Sequence, residues 1–322
     1  MDRDVIKAIN SQLLFPSQCD RHIVFGVDGK FIAHSLITIM SIMKHAGSGF
    51  YHFHLISSEL TPIDIKRLDT IFSGSSHGLT LHHINDELFK AFPTTELFTR
   101  ATYYRFLSPL LVHDAEKILY LDADIVCLNP IDELWKMAME QETIALVVGE
   151  IEALQHQLAE NVGLHGHRYF NAGVLLIDRH KWNREQISER AYHLLVEKGK
   201  YFKYLDQDAL NILLEDRVNF IESRFNTITM LAHDDKGYSL DVPENTCLLH
   251  YAGADKPWQE WNQQHVCHYY RDLRELSPLA NLPYEIPRNA QQARRMYKLY
   301  FRHHHLVSGI IWRVKYFKMR YL

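Results

Sequence analysis

The stretch EKILYLDADIV, from Glu116 to Val126, constrains the fold more than any other part of the chain. Its four apolar residues, Ile118 to Leu121, run without alternation, which is typical of a strand buried on both faces. Asp122 and Asp124 follow where that strand ends, and side chains two apart in extended backbone point the same way. Two neighbouring carboxylates repel each other unless a cation lies between them. The pattern therefore predicts either a site for a hard divalent metal or an Asp-rich turn after the strand.

Before this strand, the chain alternates strands and helices. The segment HIVFGV (22–27) predicts a first strand, followed by a short glycine turn and a helical pattern over 32–43. Strands are also predicted at 51–57 and 79–84, with a helix between them. This order is the opening of a nucleotide-binding α/β fold with a parallel sheet. The fingerprint GxGxxG is missing, which disfavours a dinucleotide-dependent dehydrogenase.

Further elements are predicted on either side of the central strand. A helix near 102–112 contains Arg105 among apolar neighbours, where the guanidinium either extends to solvent or binds a buried anion. Apolar strands are predicted at 143–148 and 169–178. The polar segment 149–168 between them has no clear helical or strand periodicity. We expect it to form a mobile loop over a site.

Two short polar motifs follow in the second half of the chain. Asp206 stands near the start of a helix, where it is either an N-cap or part of a site together with Gln207. His250 lies at the end of a short strand over 247–251. It is either a core residue whose ring nitrogens are hydrogen-bonded or a residue that binds a ligand. The segment 252–258 then supplies a flexible glycine and a lysine, as a phosphate-facing loop requires. The residue types alone leave these alternatives open.

Composition limits the class of protein. With 322 residues and 47% hydrophobic content, the chain can bury a large core. The sequence has no apolar run of about 18 residues and no apolar core near its N-terminus, so we expect neither a spanning helix nor a secretory signal. The four cysteines lack CxxC spacing, which favours a reducing cytosol over a disulfide framework or a zinc site.

Charge is distributed unevenly along the chain. The net charge is −4, yet no acidic residue follows Glu285, whereas nine lysines and arginines do. Apolar residues between Leu306 and Phe317 recur at three-and-four spacing among these basic residues, which is typical of a helix on an anionic membrane surface. A helix packed on its own domain is the alternative. We expect an anionic partner for the tail, and no nucleic acid.

Six stretches, in order along 22–260, resemble the motifs of the family 8 retaining glycosyltransferases. They are FGVDGKF (25–31), ATYYRF (101–106), LYLDADIV (119–126), FNAGVLLID (170–178), LDQDALN (205–211) and HYAGADKPW (250–258). The basic end, 297–321, is similar to the C-terminal region of the bacterial lipopolysaccharide outer-core hexosyltransferases. The resemblance implies an α/β fold with a single Rossmann-like nucleotide-sugar-binding domain of the GT-A type and a helical basic C-terminal extension. The expected parts are an N-terminal extension (1–21), the GT-A domain (22–265) and the C-terminal region (266–322).

The resemblance also implies what the chain binds. Asp122, Asp124 and His250 match the family's manganese ligands, so Mn²⁺ or Mg²⁺ is expected, with UDP-glucose or UDP-galactose as the donor. The positions that match uridine contacts are Gly26, Val27, Asp28, Gly29, Lys30, Phe31 and Ala123. Those that match donor-sugar contacts are Arg105, Asn171, Ala172, Asp206 and Gln207. Those that match the pyrophosphate loop are Gly253, Ala254, Asp255, Lys256, Pro257 and Trp258. The family often has Asp-Asp-Asn where this chain has Asp-Gly-Lys at 28–30, which makes Lys30 a candidate to supply charge to the phosphates.

Asp206 and Gln207 are the expected catalytic residues. Retention by double displacement needs a nucleophile beneath the sugar, and the amide of Gln207 is a poor one. We therefore expect the acceptor hydroxyl to attack from the face that UDP leaves, while Asp206 and Gln207 position the sugar and stabilise its positive charge. Glu150 is a candidate on the acceptor side.

The implied activity is metal-dependent transfer of glucose or galactose from UDP to the lipopolysaccharide core oligosaccharide, through an α-1,3 or α-1,2 linkage. The implied acceptor is lipid-linked, and the implied location is the cytoplasmic face of the bacterial inner membrane. The alternatives are a glycogenin-like or other family 8 transferase, a haloacid-dehalogenase-type phosphatase, whose nucleophile motif DADIV also fits, and a binding protein without turnover.

Overall fold

The computed structural model describes residues 9–47, 49–96, 98–231 and 242–321. They form two compact units, the first containing 9–228 and 243–250 and the second 229–231, 242 and 251–321. The predicted α/β class with a helical C-terminal region is confirmed. Across the described ranges, no helix is both long enough and apolar enough to span a bilayer.

Strands and helices alternate through most of the first unit, and the last three α-helices belong to the second. The strands are β1 (Asn10–Phe15), β2 (His22–Gly26), β3 (His52–Ser57), β4 (Gly78–His83), β5 (Lys117–Leu121), β6 (Ile125–Cys127), β7 (Ala145–Gly149), β8 (Phe170–Asp178), β9 (Val218–Phe220), β10 (Thr227–Thr229) and β11 (Leu248–Tyr251). The α-helices are α1 (Gly29–Lys44), α2 (Pro62–Phe72), α3 (Ser108–Leu111), α4 (Glu133–Lys136), α5 (Glu152–Val162), α6 (Arg179–Arg184), α7 (Ile187–Lys198), α8 (Leu205–Leu213), α9 (His268–Glu275), α10 (Ala290–Arg302) and α11 (Leu306–Tyr321). Short 3₁₀ helices span Asp86–Phe89, Arg100–Leu107, Gly199–Tyr201, Ser223–Phe225 and His265–Cys267.

The described strands form an eight-stranded sheet, in the order β1-β4-β3-β2-β5-β8-β7-β9, and a three-stranded sheet, β10-β11-β6. β2 pairs in parallel with β3 and β5, and β3 with β4, as the alternation of strands and helices predicts. β8 runs antiparallel to β5 and β7, so the sheet as a whole is mixed. Because β8 opposes β5, the start of β8 meets the end of β5. Asp122 N accordingly donates to Gly173 O at 2.9 Å.

The segment 149–168, predicted as a mobile loop, contains α5, so that prediction was wrong. α5 consists largely of good helix formers, EALQHQLAENV, and ends at Gly163, whose φ of +78° provides a left-handed C-cap. Leu158 and Ala159 are buried in a cluster that includes Tyr169. Two adjacent buried residues on a short helix form a narrow apolar stripe, which hid the helical period in the sequence.

The helix predicted near 102–112 is observed as two consecutive helical elements over 100–111. A 3₁₀ helix covers Arg100–Leu107, and the four-residue α3, with Pro109 in its first turn, follows it. The prediction of a helix near 102–112 is therefore confirmed, with a 3₁₀ first part and an α-helical last turn. Arg105 lies in the last turn of the 3₁₀ helix and is only 5% exposed, which excludes extension of its side chain to solvent.

A row of buried histidines crosses the sheet from β2 to β4. His22 Nδ1 lies 2.9 Å from His54 Nε2, and His54 Nδ1 lies 3.0 Å from His82 Nε2. Ser11 Oγ continues the row at 2.7 Å from His82 Nδ1. The ring of His52 lies beside that of His54. Each contact needs one donor and one acceptor, which neutral rings provide. Burial lowers the pKa of all four histidines, to about 4 for His52 and His82.

We expect the free energy of unfolding to decrease as the pH falls from 6.5 towards 5. Unfolded histidines take up protons below their ordinary pKa of 6.5, whereas folded His82 resists protonation until about pH 4. For His82 this difference corresponds to about 2 kcal/mol lost at pH 5. Urea unfolding at pH 7.5 and pH 5 measures the effect, and His82→Gln should lose less stability on acidification than the wild type. An equal loss in both proteins would contradict this role of His82.

Candidate functional site

Asp122, Asp124 and His250 form a cluster suited to a metal ion. The two aspartates follow β5, and His250 in β11 lies opposite Ile125 in the antiparallel pair of β11 and β6. One potential ligand atom from each residue lies within 4.8 Å of the others. His250 Nε2 is 3.2 Å from Asp124 Oδ1 and 4.0 Å from Asp122 Oδ2. Two carboxylates and an imidazole are a donor set that a divalent ion such as Mn²⁺ accepts, so these residues fit the implied metal.

Gly173 on β8 gives this cluster its space. A Cβ at this position would lie 2.5 Å from His250 Cε1 and 2.8 Å from Asp122 Oδ2. Any larger residue would therefore displace two of the three candidate ligands or separate β8 from β5. The glycine allows the strands to pair while the side chains converge.

Arg105 connects the metal-ligand cluster with the predicted donor-sugar residues. Its Nη2 donates to Asp122 Oδ1 at 3.0 Å, and its Nη1 donates to Ala172 O at 2.6 Å. Its Nε lies 2.9 Å from Asp206 Oδ2. The Tyr120 ring lies 4.7 Å from the guanidinium, and the Tyr120 hydroxyl donates to Asp122 Oδ1 at 3.1 Å. Oδ1 of Asp122 is thus held by two donors, while Oδ2 is the oxygen nearer to the histidine.

Asp206 is a buried carboxylate and does not cap its helix. α8 begins at Leu205 after the N-cap residue Tyr204, so the N-cap alternative was wrong. Leu205 has a φ of +42°, an unusual conformation for leucine next to a candidate catalytic residue. Thr102 Oγ1 donates to Asp206 Oδ1 at 2.7 Å. Burial raises the pKa of Asp206 to about 6, although the positive charge of Arg105 opposes the shift.

Glu150 holds the side chains of Gln207 and Asn171. Gln207 Oε1 accepts a hydrogen bond from Ala172 N at 2.9 Å, and its Nε2 donates to Glu150 Oε2 at 3.3 Å. Asn171 Nδ2 donates to the same carboxylate oxygen at 2.9 Å. Glu150 therefore contacts two predicted donor-sugar residues, and its role on the acceptor side stays a prediction.

The predicted uridine residues lie where the carboxyl ends of two neighbouring strands meet. β2 ends at Gly26, and α1 begins at Gly29 with Asp28 as its N-cap residue. Ala123, 7% exposed, follows the parallel neighbour β5. Parallel neighbours bring both loops to the edge of the sheet where α/β folds bind nucleotides. The contacts of 26–31 with uridine stay a prediction.

The predicted pyrophosphate loop, 253–258, belongs to the second unit. Gly253 has a φ of +84°, which favours glycine there. Lys256 is buried, and its Nζ donates to Tyr251 O at 2.7 Å. Asp255 forms an ion pair with another residue of the second unit, Arg295. Both charged side chains of the loop are thus engaged within their own unit, and phosphate binding by the loop stays a prediction.

Three residues of the site were not predicted: Tyr120, Thr102 and Asn226. Tyr120 precedes Asp122, the first candidate metal ligand, by two positions, so the alternation of a strand could have revealed it. Thr102 lies three residues before Arg105, one turn of the 3₁₀ helix, so the two side chains lie on the same side of it. Had the sequence indicated a 3₁₀ helix, this spacing could have revealed Thr102. Asn226 is buried beside His250 and belongs to no recognisable motif. No local pattern in the sequence indicates it.

Profiles of one family match most of the chain. The profile described as Glycosyl transferase family 8 matches residues 22–262, and that of Glycosyl transferase family 8 C-terminal matches 266–320. The chain is 30% identical to a lipopolysaccharide 1,2-glucosyltransferase of Escherichia coli K12, over 99% of this chain and 96% of the relative. It is 31% identical to a lipopolysaccharide 1,3-galactosyltransferase of Salmonella typhimurium, over 94% of this chain and 91% of the relative.

Solved structures show the same fold. The galactosyltransferase LgtC, crystallised with donor and acceptor sugar analogues, has a TM-score of 0.69 and 24% identity, over 80% of this chain and 96% of that chain. The glycosyltransferase GlyE of Streptococcus pneumoniae has a TM-score of 0.59 and 21% identity, over 80% of this chain and 60% of that chain. The likeness to LgtC confirms the predicted GT-A fold.

Proposed function

This chain belongs to glycosyltransferase family 8, and on that premise we propose that it transfers glucose or galactose from UDP to the core oligosaccharide of lipopolysaccharide. Two relatives of nearly the same length support this acceptor, and they are named for glucose and for galactose respectively. Their names also support an α-1,2 or α-1,3 linkage. Membership in the family removes the basis for the phosphatase alternative.

The observation that carries the proposal is the link between the metal-ligand cluster and the donor-sugar residues through one buried arginine. Asp122, Asp124 and His250 would hold Mn²⁺ or Mg²⁺, which supplies Lewis-acid stabilisation of a departing diphosphate. Arg105 fixes the first of these carboxylates at 3.0 Å. The same guanidinium lies 2.9 Å from Asp206, so it also holds the carboxylate assigned to the sugar.

The contacts of Gln207 favour attack from the face that UDP leaves. Its amide is a poor nucleophile, and both ends of it are hydrogen-bonded, to Ala172 N and to Glu150. In this scheme Gln207 positions the sugar, the Asp206 carboxylate stabilises positive charge at the anomeric carbon, and a phosphate oxygen of UDP takes the acceptor's proton. A covalent sugar adduct trapped on the wild-type protein would contradict it.

The test is incubation with Mn²⁺ and either UDP-glucose or UDP-galactose, using truncated core oligosaccharides and a glucan as separate acceptors. UDP release that depends on the core oligosaccharide, followed by linkage analysis, would support the proposal and identify the sugar. Extension of the glucan or of the protein itself would support a glycogenin-like acceptor instead. Binding of the donor without turnover would support a protein that only binds nucleotide sugars.

We further propose that α11 binds the anionic cytoplasmic surface of the inner membrane, where a lipid-linked acceptor would be within reach. One face of α11 packs in a cluster with α10 through Trp312 and Tyr316, as in the alternative of a helix packed on its own unit. Its other residues include large exposed apolar side chains, namely Leu306, Val307, Ile310, Ile311, Val314 and Phe317. Exposed basic residues are interspersed, and this combination suits an anionic membrane surface.

Replacing both Val307 and Ile311 by aspartate should weaken binding to phosphatidylglycerol vesicles at least about tenfold, because two apolar contacts are lost and two repelling charges are added. Sedimentation with anionic and zwitterionic vesicles measures the change. Ile63→Asp is the matched control, since Ile63 is 64% exposed on α2 in the first unit. Equal binding by the double variant and the control would contradict the membrane role. Point substitutions are preferable to truncation, because removing α10 would uncover the buried Trp261.

A further inference from the structure

Asn226 is a buried amide in contact with a candidate metal ligand. It follows the 3₁₀ helix Ser223–Phe225 and is 2% exposed. Its Oδ1 lies 3.0 Å from His250 Nδ1, and its Nδ2 donates to Asn171 Oδ1 at 3.0 Å. Taken alone, two such contacts are compatible with either orientation of an amide and either tautomer of a histidine. The groups around Asn171 decide between them.

Asn171 can adopt only one amide orientation. Its Oδ1 accepts a hydrogen bond from Gly173 N at 2.9 Å, and a backbone N–H can only donate. Its Nδ2 donates to Glu150 Oε2 at 2.9 Å, and an ionised carboxylate can only accept. The reversed amide would place a carbonyl against a carboxylate and an NH₂ group against an N–H. Asn171 therefore presents an acceptor, Oδ1, to Asn226.

The orientation of Asn171 fixes the orientation of Asn226 and, through it, the position of the proton on His250. Because Asn226 must direct Nδ2 at Asn171, its Oδ1 faces the imidazole, and Nδ1 of His250 must carry a proton to donate to it. Glu150, Asn171 and Asn226 together are called the amide relay. We infer that the amide relay holds His250 as the Nδ1–H tautomer and that Asn226 is a positioning residue of the site.

The tautomer determines what His250 Nε2 can do. Nε2 lies 3.2 Å from Asp124 Oδ1 and 4.0 Å from Asp122 Oδ2. With the proton on Nδ1, its lone pair completes a donor set with the two carboxylates, whereas an Nε2–H would donate to Asp124 and could not bind a metal. In the absence of metal the carboxylates favour Nε2–H, and the amide relay opposes them. This role rests on the proposed metal-dependent transfer, but the tautomer is a property of the metal-free protein.

The tautomer can be read from long-range ¹H–¹⁵N spectra of the metal-free protein at about pH 9, where histidine side chains are neutral. His250→Gln identifies the signals. We expect Nδ1–H in the wild type and also in Asn226→Asp, whose carboxylate still accepts the Nδ1 proton although it can no longer donate to Asn171 Oδ1. We expect Nε2–H in Asn226→Ala. Asn211→Ala is the control for loss of a buried amide, because Asn211 is 2% exposed and hydrogen-bonds the backbones of Phe170 and Gln207. An Nε2–H tautomer in the wild type, or no change in Asn226→Ala, would overturn the inference.

Titration with Mn²⁺ in the presence of UDP, followed by electron paramagnetic resonance, gives a second readout. Losing the hydrogen-bond partner of a metal-bound histidine typically lowers metal affinity about 10–100-fold. We expect this loss in Asn226→Ala and a smaller one in Asn226→Asp. Equal losses in both variants and in Asn211→Ala would indicate general damage and overturn the positioning role. Failure of the sugar-transfer assay would leave the tautomer result unaffected, so the two proposals are tested separately.

Discussion

Replacing Asp124 by asparagine is expected to lower the rate of sugar transfer by about 10³-fold or more and to weaken Mn²⁺ binding sharply. Asp124 is 9% exposed, and its Oδ1 lies 3.2 Å from His250 Nε2. The substitution preserves the size of the side chain but removes one of the two negative charges available to hold a divalent cation. A bound cation contributes several kcal/mol to stabilising a departing diphosphate, and each 1.4 kcal/mol corresponds to about tenfold in rate.

Initial rates of UDP release, together with direct titration of Mn²⁺, measure the effect of Asp124→Asn. Asp272→Asn makes the same chemical change at an exposed position on α9 and should leave both values close to the wild type. A rate within about tenfold of the wild type for Asp124→Asn would contradict the assignment of the metal site.

Replacing Arg105 by methionine is expected to reduce the free energy of unfolding by about 3–5 kcal/mol. Arg105 is 5% exposed, and it lies between Asp122 and the 2% exposed Asp206. Methionine fills much of the same volume but leaves the carboxylate of Asp206 buried without its cation. An uncompensated buried charge is among the most destabilising changes that a single substitution makes.

The effect should depend on pH in a defined direction. Burial raises the pKa of Asp206 from 3.8 to about 6, and loss of the arginine should raise it further. A carboxyl group with a raised folded-state pKa stabilises the fold at low pH, and this contribution is lost as the pH rises through that pKa. The deficit of Arg105→Met should therefore be largest above pH 7 and smaller near pH 5, where Asp206 is protonated.

Urea unfolding measures these differences in stability. Arg100→Met is the matched control, because Arg100 pairs with Asp86 at 2.9 Å but both side chains are about one-third exposed. That change should cost less than about 1 kcal/mol. Adding Asp206→Asn to Arg105→Met should recover part of the loss, since the buried charge is then absent. Equal losses from Arg105→Met and Arg100→Met would contradict the importance of the buried ion pair.

The end of β5 shows how much of the site local sequence can predict. A short apolar run followed by Asp122 and Asp124 indicates a buried strand that ends in paired carboxylates, because burial and side-chain alternation are properties of consecutive residues. The β-α-β order likewise predicts the parallel neighbours β2, β3 and β4. The motif residues Arg105, Ala172 and Asp206 were named from the resemblance, and the structure brings them together at 2.6 to 2.9 Å.

Errors in the sequence-based predictions arose where local patterns were ambiguous. The sequence of 149–168 predicts a loop because the buried stripe of α5 is narrow. Asp206 fits the role of an N-cap in the sequence because it lies near a helix start, and no local pattern indicates that it pairs with Arg105. In both cases tertiary packing decided between local structures of similar plausibility.

By itself, the sequence determined the class of fold, the strand that carries the aspartates and the amphipathic character of the tail, since these depend on periodicity and burial along consecutive residues. Only the tertiary structure decided that β8 runs antiparallel beside β5, that His250 faces the aspartates and that Asn226 lies behind it. These contacts join residues more than 20 positions apart, and their geometry follows from strand order and direction. No short stretch of sequence encodes that arrangement.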